Sequence, residues 1–205
     1  MAVAALGGGC TAPESLPTRA QGPAAAEPVA AGREFERDWG ERSLARVPAK
    51  VTLPDVRAWH AHASGSFTVL EHAPTRSTLT LRVTRAARLV RPEQCEDDAR
   101  LARRSLPALD PNDIVERRRL AVPRGFDVRL TVLVEPRATG AVHGVAFAVG
   151  AATGRCYVAI YETEAAGAAA AEVVGDRLGL VVSGVLETLR VPEADERVAP
   201  PVGVE

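Results

Sequence analysis

The residues in this 205-residue chain with the most chemistry in their spacing are histidines. His60 and His62 stand two apart, which on a strand puts both imidazoles on one face. His72 falls on the return strand of the same predicted hairpin. Two or three neutral imidazoles close together are the start of a metal site, which also needs a carboxylate or thiolate ligand and hydrogen-bonding partners behind the rings. The expected register turns Glu71 away, so His60, His62 and His72 are candidates only, with half-exposed sheet histidines as the alternative. Ser64 and Ser66 flank Gly65 near His62, yet no Gly-x-Ser-x-Gly elbow and no strand-to-helix turn presents either hydroxyl. Ser183 falls inside an apolar helical stretch. Gly144, Gly150 and Gly154 are too far apart for a phosphate-binding fingerprint and read as bulges and turns, and Lys50 has no P-loop around it. Arg117 to Arg119 lie near Asp113 and Glu116 without interleaved aromatics, the pattern of a solvated face. Asp97 and Asp98 read as exposed helix charges. No catalytic residue and no cofactor is assigned.

Composition narrows the class. Lys+Arg number 25 against 26 Asp+Glu, a net charge of -1 without the basic footprint of a nucleic-acid binder. No stretch of about 18 residues is apolar enough for a transmembrane helix. The hydrophobic fraction is 46%, but 37 of those residues are Ala, which bury little area each. The 26 Val favour strands.

Elements must then position the side chains. Val51 to Leu53 reads as a strand closed by Pro54. Trp59–Ala63 and Phe67–His72 read as a hairpin around Ser64-Gly65-Ser66, with Ala63 paired to Phe67. That register puts Trp59, Ala61, Phe67 and Val69 on one face, and His60, His62, Leu70 and His72 on the other. Ser77 to Thr84 is a third strand. Pro92 opens a helix with acids first and arginines last, the order the helix dipole favours, and Cys95, Ala99 and Ala102 mark its inner side. A second helix is predicted from Pro111 to Leu120, capped by Asp110. Phe126–Glu135, Ala141–Val149 and Arg155–Thr163 form an antiparallel meander. A long amphipathic helix runs from Gly167 to about Leu189 on Val174, Leu178, Val181, Val182, Val185, Leu186 and Leu189. Its Gly175, Gly179 and Gly184 are expected to let it approach the sheet. The predicted class is α+β: a mostly antiparallel sheet of about six strands covered by helices, closed by the C-terminal helix. The single domain is expected over 33–191. A tether at 11–32, too poor in aliphatics to offset the entropy of ordering, precedes it, and a frayed tail at 192–205 follows.

The N-terminus, Met1-Ala2-Val3-Ala4-Ala5-Leu6-Gly7-Gly8-Gly9-Cys10, is an apolar small-residue run ending on a cysteine. It resembles the end of a bacterial lipoprotein signal peptide, which implies lipidation of Cys10, a remnant of that peptide at 1–10, and a membrane-anchored protein facing the periplasm or cell surface. If Cys10 is not a lipid site, the protein is expected in the cytoplasm. Cys95 and Cys156 remain as an even pair, able to bridge in an oxidising compartment and otherwise two buried thiols. Element order over Lys50 to Val191, Trp59 and Ser66-Phe67 resemble the PsbP/Mog1-like fold. The segments Glu93-Gln94-Cys95 and Gly154-Arg155-Cys156-Tyr157 are similar to uncharacterised bacterial lipoproteins with a matching cysteine pair. These resemblances imply an envelope protein that binds or assembles rather than catalyses, with the membrane and possibly another envelope protein as partners. The alternatives are a metal protein or enzyme using the histidine face, and a cytosolic adaptor.

Overall fold

The apolar residues of the centre of the chain run almost unbroken, as in Val145-Ala146-Phe147-Ala148-Val149 and Tyr157-Val158-Ala159-Ile160-Tyr161, the pattern of strands buried on both faces. The computed structural model describes residues 35, 38–44, 47–86 and 89–192. In it these runs lie in β8 (Ala141–Ala152) and β9 (Arg155–Ala166), next to each other in a seven-stranded antiparallel sheet. The remaining strands are β3 (Trp59–Ser64), β4 (Phe67–His72), β5 (Ser77–Arg85), β6 (Ile114–Leu120) and β7 (Asp127–Pro136). Their spatial order is β3-β4-β5-β9-β8-β7-β6. A separate two-stranded sheet joins β1 (Gly40–Ser43) to β2 (Lys50–Leu53). Among the described residues two α-helices accompany them: α1 (Pro92–Ala102), and α2 (Ala170–Val181), which continues as a π-turn over Val182–Leu186.

The protein is therefore mostly β, and the α+β class with about six strands is corrected. The second predicted helix is the clearest cause. Asp110 does accept a hydrogen bond from the Asn112 backbone N–H at 2.9 Å, the contact expected of a helix cap, but the chain leaves that turn extended as β6. The charged run Glu116 to Arg119 that resembled a solvated helix face is the exposed edge of the sheet.

Alternation along the strands builds two cores. On one side Leu70, Leu79, Leu81, Leu130, Ala146, Ala148, Tyr157, Ala159 and Tyr161 meet α2 through Val174, Leu178 and Val181, and meet Val51 and Leu53 of β2. On the other, Phe67, Phe147, Val149, Cys156, Val158 and Ile160 meet Cys95 and Ala99 of α1. Close approach of α2 comes from the sheet rather than the helix. A side chain at Gly144 would collide with Val174 and with Leu178, 2.9 Å away, whereas Gly175 and Gly179 have open space before them. Gly184 instead seats the ring of Trp39. Gly144 and Gly150 are thus close-packing positions in an unbroken register, not bulges, and Gly154 is the left-handed turn residue (φ +71°) expected of it.

Cys10, the 11–32 tether and the tail beyond Pro192 lie outside the described residues.

Candidate functional site

The histidine face depends on one residue of register. The β3–β4 turn is the two-residue Gly65-Ser66, and Ser64 rather than Ala63 pairs with Phe67. Because side chains alternate, this slip moves one strand's whole set to the other face. His60 and His62 now share the α1 side with Val69 and Glu71, while Trp59, Ala61, Leu70 and His72 share the α2 side. The predicted trio is therefore split. His62 Nε2 lies 3.8 Å from Glu71 Oε1, the carboxylate expected to point away, and both are about half exposed. Among the described residues no group of three His, Cys, Asp or Glu side chains is placed to hold a metal ion.

His72 is instead an interior residue, 1% exposed, packed against Phe35 and Trp59. It anchors a buried polar chain. Its Nδ1 is 2.7 Å from Thr75 Oγ1 and its Nε2 is 3.3 Å from Asp55 Oδ2. Thr75 Oγ1 donates to Ser77 Oγ, which donates to Thr163 Oγ1 at 2.9 Å and lies 3.1 Å from the Tyr161 hydroxyl. Arg177 of α2 closes the chain by donating to the Thr75 carbonyl, Thr163 Oγ1 and the Glu164 carbonyl. The order carboxylate, imidazole, hydroxyl is that of a nucleophilic triad. Here both hydroxyls are buried, with Thr75 at 1% and Ser77 at 2% exposure. A nucleophile must meet its substrate, so this network serves to satisfy buried polar groups and lock β4, β5, β9 and α2 together.

The fourth histidine, His143 on β8, was not singled out by any spacing in the sequence. It lines a cleft of about 410 Å³ between the ends of β7, β8 and β9 and the segment joining α1 to β6, with Asp110, Asp113, Glu135, Arg137 and Glu162 around it. Arg137 bridges two neighbours, its Nη1 donating to Glu135 Oε1 and its Nη2 lying 2.9 Å from His143 Nδ1. A guanidinium can only donate, so Nδ1 is the accepting nitrogen and Nε2 carries the proton. That N–H lies 3.7 Å from Glu162 Oε1, too far for a direct hydrogen bond. The cleft offers four carboxylates against one guanidinium, a polar wall complementary to cations. The only sequence signal for it is cross-strand, since Glu135 pairs with His143 and Glu162 with Val145, the next residue on the same face.

The remaining candidates separate cleanly. Cys95 and Cys156 are joined by a disulfide that ties α1 to β9. The helix has other ties: Arg82 to Asp98 at 2.9 Å, Arg129 to Glu93 at 2.8 Å, and Arg100 over the Phe147 ring. Its own backbone N–H, and after it Arg129, hold the Glu93 carboxyl below its usual range. In β6, Arg118 meets both Glu116 and Glu187 at 2.6 Å, and Arg119 lies 3.8 Å from Asp127. Ser183 donates to the Gly179 carbonyl one turn back.

No family model and no curated protein matches the sequence. Among solved structures, the chain is similar to a crystal structure from Bacteroides thetaiotaomicron VPI-5482 at 7% identity and a TM-score of 0.47, over 76% of this chain and 49% of that one. The chain thus spans about half the length of the protein it matches.

Proposed function

We propose that this chain is an exported, lipid-anchored protein of the cell envelope that works by binding or assembly. The observation that supports it most is the Cys95–Cys156 disulfide. Only Cys95 and Ala99 among the non-proline residues of α1 are buried, so this helix depends on its covalent tie more than on apolar packing. Disulfides used structurally in this way belong to oxidising compartments. The small-residue run ending at Cys10 supplies the lipid acceptor on this view. A binding rather than catalytic role fits a molecule whose Asp55–His72–Thr75 chain is closed to substrate.

Labelling cells with a fatty-acid analogue tests the anchor. The protein is expected to carry the label and partition into detergent, and Cys10→Ser to lose both. A native chain found in the cytosol, with Cys95 and Cys156 open to alkylation, would sink the proposal.

A further inference from the structure

The two edges of the large sheet are built differently. β6 carries Glu116, Arg117, Arg118 and Arg119 and a register irregularity between Ile114 and Glu116, the devices that keep an edge from pairing. β3, Trp-His-Ala-His-Ala-Ser, has no Lys, Arg, Asp, Glu or Pro and no irregularity, and its last five residues are all exposed. We propose that β3 is an interface, and that its occupant is β3 of a second copy of this chain, paired antiparallel about a two-fold axis.

The backbone defines the register. A two-residue turn makes Ser64 and Phe67 a hydrogen-bonded pair, so His62 with Val69 and His60 with Glu71 are hydrogen-bonded pairs too. Trp59, Ala61 and Ala63 then direct their N–H and C=O groups outward. The Trp59 carbonyl is already taken, accepting from Arg42 Nη1 at 2.6 Å. Ala61 and Ala63 remain. The antiparallel register that matches both open residues with open residues sets Ala61 opposite Ala63 of the second copy and His62 opposite its own counterpart. It makes four backbone hydrogen bonds and puts Trp59 beside the second copy's turn, where no partner for its carbonyl is needed.

Edge regularity selects the same occupant. A head-to-tail contact of β3 with β6 would meet the irregular register of β6. It would also propagate into an open filament. The β3–β3 pairing joins two regular edges and closes on itself. Beside this edge Ala61, His62, Ala63 and Thr68 line a shallow depression of about 230 Å³ with Arg42, Ser43 and Leu44.

Register-specific crosslinking tests this in the full chain with Cys10→Ser and the internal disulfide intact. His62→Cys is expected to form a covalent dimer under mild oxidation, because facing residues at this non-hydrogen-bonded position lie about 4.5 Å apart. His60→Cys is expected not to, because its counterpart lies roughly 13 Å along the strand. The uncrosslinked protein should sediment as a concentration-dependent dimer, and Ala61→Lys with Ala63→Lys should raise its dissociation constant tenfold or more with an unchanged circular dichroism spectrum. A monomer at every concentration, with His62→Cys unlinked, would overturn the pairing and leave the edge to an extended peptide of another protein. Equal linking of His60→Cys and His62→Cys would overturn the register.

Discussion

Tyr157 illustrates how residue type and residue role part company. Its ring belongs to the core beside Phe126, and its hydroxyl is buried with no hydrogen-bond partner. Burial pushes its pKa well above the usual value of 10. A folded-state pKa above the unfolded one means that full stability holds below about pH 10 and falls as the pH climbs beyond it. Tyr157→Phe is expected to raise stability at neutral pH by about 1 kcal/mol and to flatten the alkaline fall, as urea midpoints at pH 9 and pH 11 would show. His72 is the reverse case, a polar group with both ring nitrogens engaged. His72→Ala leaves Thr75 short of a partner and opens a gap between Phe35 and Trp59. Thermal or chemical unfolding should register a loss of about 3 kcal/mol. The network was invisible in the sequence because Asp55, Thr163 and Arg177 join the His72–Ser77 segment from three other places along the chain, and because the burial of His72, Thr75 and Ser77 depends on those partners.

Elements were more legible than the faces they present. The hydrophobic alternation of β5 and β7, the apolar runs of β8 and β9 and the helical stripe of α2 are local properties, and each forms near its predicted place. The β3–β4 hairpin formed too, but the choice between a two- and a three-residue turn reversed which histidines share a face. In α1 the short apolar contact makes the disulfide the dominant restraint. Replacing Cys95 and Cys156 together by Ala should cost about 4 kcal/mol on loop-entropy grounds, with hydrogen exchange rising in α1 well before it does in β8 and β9. Glycines discriminate the packing of α2. Gly144→Ala forces Val174 and Leu178 outward and should destabilise by about 1–3 kcal/mol, whereas Gly175→Ala enters open space and should stabilise by up to about 1 kcal/mol. The same measurement on both variants separates sheet-driven from helix-driven approach.

At the scale of the whole molecule, near-neutral charge and Val-rich, Ala-rich content determined much by themselves: a folded domain with a strand-forming core, without the charge footprint of a nucleic-acid binder. The even pair Cys95 and Cys156 was equally plain in the sequence, while only the fold brings the two together across 61 residues. Tertiary structure decided what depends on pairing at a distance. It turned a charged helical prediction into the edge strand β6, sent His72 inward and Glu71 outward, gathered His143 with Glu135 and Glu162 from three strands, and left β3 open where β6 is guarded. The physical reason is the same in each case. Periodicity and composition are fixed by neighbours along the chain, whereas register, edge position and the convergence of polar groups are fixed by which strand lies beside which.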